Sequence, residues 1–255
     1  ESEARQSFLV DLVTRIRDLS DVEDIMRAVA ESLGRQLKVG RVAYAEVDQT
    51  AGEIRVGPEH LAPGMPSAAG VFEGPEIDQL IEFYRLGEPL VVEDNRVDPR
   101  TAALALRPQV VATRSRGVLD TPIVRNGRLV ALLVVNHPEP RHWSQGEVEL
   151  ARAVAERTWS AVERARVEAQ LREEEDRRGF LLKLSDEARR LRDPDAIVAA
   201  ATRALGQRLG AHRVAYVEID DDRGMAAAHG QWTDGTIERL PNQLRLADFG
   251  AALVQ

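Results

Sequence analysis

Residues 117–137 read GVLDTPIVRNGRLVALLVVNH, and this stretch decides the fold. Asn126-Gly127 is a dipeptide typical of a two-residue β-hairpin turn, because both turn positions need a positive φ. It joins two apolar segments, Gly117–Val124 and Arg128–His137. Leu129–Val135 is apolar on both faces, which predicts a central strand that is covered on both sides. The stretch therefore predicts an antiparallel sheet in the middle of a domain.

The chain before this hairpin predicts two amphipathic helices and another hairpin. Glu3–Leu19 places apolar residues three and four positions apart, which is the spacing of one helix face. Asp21, or Ser20 before it, is expected at the N-cap of the next helix. Arg41–Asp48 alternates in side-chain size as a strand does, and Gly52–Pro58 is its predicted hairpin partner.

Shorter elements are predicted between these strands and the hairpin. His60–Gly74 is rich in Pro, Gly, Ala and Ser, which predicts a long functional or mobile loop. An amphipathic helix, Ile77–Leu86, and a short strand, Pro89–Val92, follow it. Asp98-Pro99 is expected to cap a further helix, Arg100–Leu106. One antiparallel sheet with helices before, between and after its strands defines an α+β fold.

A single long helix is predicted from Ser144 to about Leu191. Ser144 and Glu147 form a capping box, and no proline follows until Pro194. About 45 residues at about 1.5 Å each would reach roughly 70 Å, which is more than a compact domain needs. The simpler alternative is a surface helix that closes one domain. Small residues alternate by three and four along the first half, which predicts a coiled-coil seam for dimerisation: Val148, Ala151, Ala155, Thr158, Val162, Ala165 and Ala169.

The chain contains an internal repeat. The 41 residues from Phe8 and the 41 residues from Phe180 align without a gap, and 17 positions are identical. The segment Arg41-Val42-Ala43-Tyr44 recurs as Arg213-Val214-Ala215-Tyr216. The second copy has about half the length of the first, so we expect it to be incomplete. We predict at most two strands after Leu209 and a final helix over residues 244–254.

Composition limits the class of protein. Of 255 residues, 44% are hydrophobic and 30% are charged, which is typical of a globular chain with extensive charged surface. The net charge of −8 and the lack of a basic stripe argue against a nucleic-acid partner. There is no apolar run long enough for membrane insertion and no signal peptide, and we expect a cytoplasmic piece of a longer protein. Cysteine is absent, which excludes thiol catalysis and thiolate metal sites.

The order of these segments resembles the GAF domain, in particular the GAF modules of bacterial sensor histidine kinases and, more distantly, of phytochromes. The resemblance rests on RVAYAEVD, on EIDQLIEFYRLGEPLVVEDNRVDPR, on the hairpin, and on PRHWSQGEVELARAVAERTWSAVERAR. It covers residues 8–165, and the opening half of a second copy from about residue 180. It implies a six-stranded antiparallel sheet, flanking helices that dimerise and transmit signals, and a small-molecule pocket.

The chain departs from several GAF patterns. Covalent bilin attachment needs a cysteine, so it is excluded here, and so are the sulfoxide-reducing GAF enzymes. The nearest match to the Asp-Ile-Pro segment of phytochromes is Glu76-Ile77-Asp78. Gln109 falls near the phytochrome histidine that stacks on the chromophore, and Asn136-His137 lies where phytochromes carry a His pair. The Asn-Lys-Phe-Asp-Glu signature of cyclic-nucleotide GAF domains is not recognisable.

Seven residues are candidates for the lining of the implied pocket: Tyr44, Glu76, Tyr84, Asp94, Arg114, Arg116 and His137. Arg114 and Arg116 precede a strand, and they either hold a carboxylate or phosphate or lie in a solvated loop. His137 ends a central strand, where it either faces the pocket, able to bind an anion or haem, or forms a local hydrogen bond. None of the five histidines has metal-ligand spacing, so no metal site is predicted.

The sequence therefore predicts four regions: a linker helix over 1–19, a GAF core over 20–143, a connecting and dimerisation helix over 144–191, and a partial GAF domain over 192–255. We expect a non-enzymatic sensor and dimerisation module of a two-component histidine kinase. It would bind an unidentified small ligand or a partner and act on a downstream kinase or output domain. A ligand-free structural spacer is the alternative. An enzyme is disfavoured because no acid–base constellation is present.

Overall fold

The computed structural model describes residues 2–246, and the chain divides into two compact units, Glu1–Gln170 and Leu171–Gln255. The first unit contains α1 (Ser2–Arg17), α2 (Val22–Leu37), β1 (Arg41–Asp48), β2 (Glu53–Leu61), β3 (Gly70–Glu73), α3 (Pro75–Tyr84), β4 (Leu90–Val92), α4 (Ala102–Ala105), α5 (Pro108–Ala112), β5 (Gly117–Arg125) and β6 (Arg128–His137). Helix α6 (Gln145–Arg190) runs through the boundary between the units. The second unit continues with α7 (Pro194–Leu209), β7 (Arg213–Asp220), β8 (Met225–Thr233) and β9 (Gln243–Arg245).

The first unit is built on a six-stranded antiparallel sheet in the order β3-β2-β1-β6-β5-β4. The predicted turn is present, because Asn126 has φ 51° and Gly127 has φ 73°. Strand β6 pairs with both β1 and β5, so the prediction of a central strand is confirmed. The α+β fold predicted from the sequence is therefore confirmed.

Both faces of the sheet are covered, and alternate residues of β6 decide which core they join. Leu133 and Val135 pack with α1, α2 and α6 in one core, whereas Leu132 packs with α3 in the other. Strand geometry sends successive side chains to opposite faces, so a strand that is apolar throughout serves two cores. The cavity described below lies on the α3 face.

Two local predictions need correction. Six of the fifteen residues of the predicted loop 60–74 are strand, because β2 extends to Leu61 and β3 pairs with it along the sheet edge. Asp98 does not cap a helix: its side chain instead accepts hydrogen bonds from the backbone and the guanidinium of Arg100. The helix that follows is shorter, begins at Ala102 after Thr101, and is succeeded by α5. Side chain to backbone bonds of this kind favour turns over helix.

Helix α6 begins as predicted, since the Ser144 amide and hydroxyl both bond to Glu147. The predicted dimer seam, however, lies mostly inside the first unit. Five of its members are buried in the core of their own chain, Val148 packs beside that core, and Ala169 is exposed. Their small size is therefore explained by close packing of α6 on the sheet and on α1 and α2. A dimer through this helix needs other residues.

The second unit repeats the opening of the first. Its sheet has the order β7-β8-β9, which matches the pairing of β1 with β2 and of β2 with β3. Asp21 and Asp193 are the N-caps of α2 and α7, and each side chain accepts a hydrogen bond from the backbone N–H three residues later. The register of β1 with β2 shifts between Ala43 and Ala45, and that of β7 with β8 shifts at Ala215, the equivalent position. The repeated sequence thus folds in the same way twice.

The prediction of at most two strands in the second copy was wrong, because β9 forms a third. Gln243–Arg245 pairs with β8 through backbone groups, which short polar segments can do without an apolar pattern. The predicted helix over 244–254 is contradicted at residues 244 and 245, which are strand, and residues 247–254 lie outside the described part of the chain.

Candidate functional site

A cavity of about 120 Å³ lies between the sheet and helices α3, α4 and α5 of the first unit. All six strands of the sheet contribute residues to its floor, and the three helices with their connections contribute its roof. Its apolar lining consists of Ile54, Val56, Ala68, Phe72, Ile77, Leu80, Leu90, Leu104, Ala105, Val110, Val118, Leu132 and Val134. Its polar lining consists of Arg41, Tyr84, Asn95, Thr101, Thr113, Ser115, Asp120 and Asn136. Such a mixture, with few polar groups in an apolar wall, is typical of small-molecule sites.

Arg41, the first residue of β1, connects several elements at one end of the cavity. The Arg41 side chain has no exposed surface, and its guanidinium lies 3.3 Å from the Glu59 carboxylate. Burial lowers the pKa of Arg41, and the charge of Glu59 opposes that effect. The guanidinium also donates hydrogen bonds to four acceptors: Ser115 Oγ and Asn136 Oδ1, each at 2.9 Å, the Thr113 carbonyl at 2.9 Å, and the Pro66 carbonyl. Arg41 thus joins β1 to β2, β6 and two loops.

A buried carboxyl lies in the adjacent row of the sheet floor. Asp120 projects from β5, where it pairs with Leu90 of β4 and Val134 of β6. The Tyr84 hydroxyl, at the end of α3, donates a hydrogen bond of 2.6 Å to Asp120 Oδ2. Burial raises the pKa of Asp120 to about 7, although the Tyr84 hydrogen bond opposes this effect. Burial and the neighbouring carboxylate raise the pKa of Tyr84 well above its usual range.

Three buried polar atoms of cavity-lining side chains have no hydrogen-bond partner within the protein. They are Asp120 Oδ1, Asn95 Oδ1 and Arg41 Nε. The Asn95 amide is oriented by its Nδ2, which donates a 2.7 Å hydrogen bond to the Ser115 carbonyl, so its oxygen is an acceptor that remains free. The Arg41 Nε lies close enough to Glu59 for an ion pair but is not directed at it as a hydrogen bond. Buried groups of this kind normally bind a partner, which a ligand or water can supply.

Of the seven predicted site residues, the structure places Tyr84 in the cavity lining. Tyr44 lies on the opposite face of the sheet, in the core with α2 and α6. His137 is half-buried, and its Nδ1 contacts the backbone of Glu139, which is the local strand-end alternative. Arg114 is exposed and has φ 54°.

The remaining three predicted residues form ion pairs at the surface. Asp94 and Arg116 are brought together in a two-contact pair, and the Arg116 hydrogen bonds lower the pKa of Asp94 to about 2. Glu76, near the start of α3, lies 3.5 Å from the Arg107 guanidinium. None of these side chains lines the cavity, and their ligand-binding role stays a prediction.

Sequence reasoning missed Asp120, Arg41 and Asn95. A signal for Asp120 existed, because a charged residue inside the apolar run of β5 needs a buried partner or a function. Arg41 was noticed only as part of the repeat, and its role depends on residues up to 95 positions away. Within residues 2–246, no three His, Asp or Glu side chains converge as metal ligands would.

The fold and cavity define an α+β domain with a pocket on one face of its sheet and a long helix on the other. A profile of the GAF domain matches residues 21–162, which is more than half of the chain. The chain therefore belongs to the GAF domain family. A sequence search of curated proteins finds no match.

Solved structures show the same fold. A bacteriophytochrome from the photosynthetic bacterium R. palustris is 18% identical, covers 88% of this chain and 50% of its own, and superposes with a TM-score of 0.65. The phycoerythrobilin-bound GAF domain of a cyanobacterial phytochrome is 21% identical over 65% of this chain and 97% of its own, with a TM-score of 0.53. The free methionine-R-sulfoxide reductase of Neisseria meningitidis, in complex with its substrate, is 17% identical over 64% and 90%, with a TM-score of 0.52.

Proposed function

We propose that this chain is the sensory part of a signal-transduction protein and that it binds a small molecule in the cavity above β5 and β6. The observation that carries the proposal is the set of unpartnered buried polar atoms in a cavity whose lining is mainly apolar. A folded protein rarely retains such groups unless something binds them. The sensory role of GAF relatives such as the bacteriophytochrome supports the same class of function.

The sheet offers a physical route from the cavity to α6. In β5, Asp120 faces the cavity while Leu119 and Ile123 pack in the core shared with α6. Arg125, at the end of the same strand, forms an ion pair with Glu156 of α6 and lies 5.7 Å from the centre of the Trp159 ring. A ligand that shifts β5 therefore shifts its contacts with α6. Packed interfaces tend to have discrete arrangements, so a small displacement can select between two states.

The finer parts of the proposal concern the whole protein. We propose that it is a homodimer, that its output is a histidine kinase, and that residues from about 180 onward begin a second GAF copy. The recurring elements α7, β7, β8 and β9 support the tandem arrangement. We place the protein in the cytoplasm, which fits the absence of cysteine. We assign it a regulatory rather than a catalytic role, which is the general role of GAF domains.

Several GAF relatives bind a bilin, but we do not propose one here. The chain has no cysteine for covalent attachment. A cavity of about 120 Å³ also has room for far less than a four-ring chromophore. The ligand that we propose is therefore small and non-covalent.

A ligand-free structural spacer is the second candidate, and the small size of the cavity favours it. Arg41 lies at one end, and the large side chains Phe72 and Leu104 belong to the lining. In that case the free polar atoms would be satisfied by water alone. The two functions predict different contents for the cavity.

Native mass spectrometry of the purified chain, together with its visible absorption spectrum, separates the two functions. We expect the wild-type chain to carry an added small-molecule mass. Ala105→Phe should abolish that mass, because Ala105 is buried in the cavity wall. Ala103→Phe is the matched control, since Ala103 is exposed on the same helix. A bare wild-type chain after gentle purification would favour the spacer.

A further inference from the structure

The distribution of charge in the cavity narrows the chemistry of its ligand. We propose that the cavity binds a small, mainly apolar nitrogen base, held as a cation against the carboxylate of Asp120. This inference rests on the proposed function and goes beyond it by naming a ligand class and the residue that selects it.

An anionic ligand is disfavoured at the end of the cavity that carries the positive charge. The Arg41 guanidinium already faces the Glu59 carboxylate, which is itself almost buried. Four of its five N–H groups donate to protein acceptors, so only Nε remains. The charge of Arg41 is thus balanced by Glu59, and four of its five N–H donors are already bonded within the protein. A carboxylate or phosphate there would add a second negative charge beside Glu59.

Asp120, at the other end of the cavity, carries a carboxyl group whose charge is not balanced by the protein. Asp120 has no cationic partner among the side chains that line the cavity, because Arg41 is the one base there and it is paired with Glu59. Its Oδ2 accepts from the Tyr84 hydroxyl, and its Oδ1 is free. Arg100, which lies outside the cavity lining, acts to lower the pKa of Tyr84 through its charge. Its guanidinium is paired with the Asp98 carboxylate and not with Asp120. The remaining polar groups of the lining are neutral.

Proton transfer to a bound base would give the unpartnered Oδ1 of Asp120 a hydrogen-bond donor. At neutral pH burial keeps the Asp120 carboxyl partly protonated. A nitrogen base that enters neutral can take this proton and become a cation. Its N–H then donates to Oδ1 while Tyr84 continues to donate to Oδ2. Charge is conserved, one O–H bond is exchanged for one N–H bond, and the new hydrogen bond joins two charged groups, which is the stronger kind. A base that enters as a cation gives the same complex once Asp120 has lost its proton to solvent.

The volume limits the ligand to about one small ring. An engineered apolar cavity of about 150 Å³ in another protein accommodates benzene. The present cavity of about 120 Å³ is slightly smaller, so a five-membered ring is a fitting size. Imidazole combines that size with basicity and an N–H donor, and it serves as a probe of the class. Thiophene has the same ring size without a donor, and isobutyrate is a small apolar anion.

The test is a titration of the full chain with each of these three probes, followed by NMR chemical shifts of the β5 and β6 amides. We expect imidazole to bind at least about tenfold more tightly than thiophene, and isobutyrate not to bind. Asp120→Asn keeps the shape and the Tyr84 partner but cannot take a full charge. This variant should lower imidazole affinity to that of thiophene and leave thiophene affinity unchanged, which also shows that its cavity is intact. Asp11→Asn, an exposed carboxyl on α1, is the matched control and should change nothing.

Each result decides the inference. Equal binding of imidazole and thiophene, or imidazole binding that Asp120→Asn leaves unaltered, would show that the cavity takes ligands without using the carboxyl. The ligand-binding function would then survive and the proposed ligand class would not. Isobutyrate as the tightest probe would reverse the assignment of charge. If no probe binds, the inference fails, and the native mass spectrum decides separately whether another ligand occupies the cavity.

Discussion

Arg41 and Asp120 are buried ionisable side chains on one face of the sheet. Two strand spacings and two residues along a strand separate them, which places their Cα atoms about 12 Å apart. They are stabilised differently. Arg41 has an opposite charge and four hydrogen bonds, whereas Asp120 has a single hydrogen bond from Tyr84. A buried charge is costly without partners, so the first residue should support the fold and the second should weaken it when ionised.

Replacing Arg41 by methionine should destabilise the first unit by about 3–5 kcal/mol, because Glu59 and several carbonyl groups would remain buried without a partner. Hydrogen exchange of β1 and β6 peptides measures the loss within the first unit. The repeat offers a control in Arg213, which is exposed and makes one hydrogen bond to the Glu238 carbonyl. Arg213→Met should cost at most about 1 kcal/mol. Equal losses for the two variants would contradict the role given to Arg41.

Asp120→Asn should stabilise the first unit relative to wild type as the pH rises. The pKa of Asp120 is about 7 in the fold, whereas an unfolded aspartate has about 3.9. The fold therefore binds the proton more tightly, and this contribution is present below about pH 4 and is lost by about pH 7. The stability difference between variant and wild type should grow over that interval by up to about 4 kcal/mol. Urea titrations read by hydrogen exchange of β5 peptides measure it.

Asp94→Asn serves as a control of opposite sign. Its hydrogen bonds from Arg116 lower the pKa of Asp94 to about 2, so the stability that it contributes is present above about pH 4 and is lost only on acidification below that value. The difference between Asp94→Asn and wild type should therefore be constant from pH 4 to 7. A flat profile for Asp120→Asn as well would show that Asp120 does not titrate in this interval.

At the scale of elements, the structure explains small residues as positions of close approach. Ala155 of α6 is buried against the sheet core, and the glycines of α2 and α7 face rings on the second strand of each repeat. A Cβ on Gly34 would overlap the His60 ring, and a Cβ on Gly206 would overlap the Trp232 ring. These two pairs occupy equivalent positions of the repeat. Both units thus use a helical glycine to admit a large side chain.

Ala155→Leu should destabilise the first unit by about 1–3 kcal/mol, because a well-packed core does not accept added methylene groups without strain. Ala169→Leu, at an exposed position of the same helix, should change stability by no more than about 0.5 kcal/mol. Thermal unfolding and light scattering of both variants measure the effects. If Ala155 were instead part of a dimer seam, the leucine would strengthen association without loss of stability.

Gly206→Ala should destabilise the second unit by about 1–3 kcal/mol, although alanine normally favours a helix over glycine by about 1 kcal/mol. The reason is the overlap with the Trp232 ring. Gly179→Ala is the matched control, because nothing lies within 4 Å of a Cβ at that position of α6. That variant should be neutral or stabilising by up to about 1 kcal/mol. Hydrogen exchange of α7 and β8 peptides measures the stability of both variants. A Gly206→Ala variant as stable as wild type would contradict the prediction.

For the whole molecule, the exposed surface of α6 bears on the proposed dimer. Its buried small residues face the first-unit core, but Leu171 and Leu182 are exposed. They are eleven residues apart, which is close to three helical turns and places them on one side of the helix. Exposed leucines at this spacing are typical of a helix that pairs with another.

Among the described residues, no helix is both long and apolar enough to cross a bilayer.

We therefore expect the double variant Leu171→Glu, Leu182→Glu to weaken dimerisation by at least about tenfold, because it places charges in an apolar interface. Light scattering over a range of concentrations measures the dissociation constant. Leu209→Glu, at an exposed leucine at the end of α7, is the control and should leave association unchanged. A wild-type chain that is monomeric at all concentrations would remove the dimer from the proposed function.

The fold was largely predictable, whereas the candidate site was not. The bounds predicted for β1 and β6 are those observed, and the α6 helix was placed within a residue. Errors occurred at β3 and β9, which are four and three residues long and therefore too short to show an apolar alternation. In the site, Tyr84 lies in the cavity lining and its predicted ligand-binding role stays a prediction, whereas Asp120 was missed. Its importance depends on burial and on Tyr84, which is 36 residues away.

The sequence by itself determined most of the strands and helices, the turn, the repeat and the family of this protein, because each depends on neighbouring residues or on similarity along the chain. The tertiary structure decided which face of the sheet each helix covers. It thereby turned the small residues of α6 from an expected dimer seam into core, and separated Tyr44 from Tyr84. It also brought Arg41 to Asn136 and Asp120 to Tyr84. Charge and burial at those positions arise only from long-range packing, which no local pattern encodes.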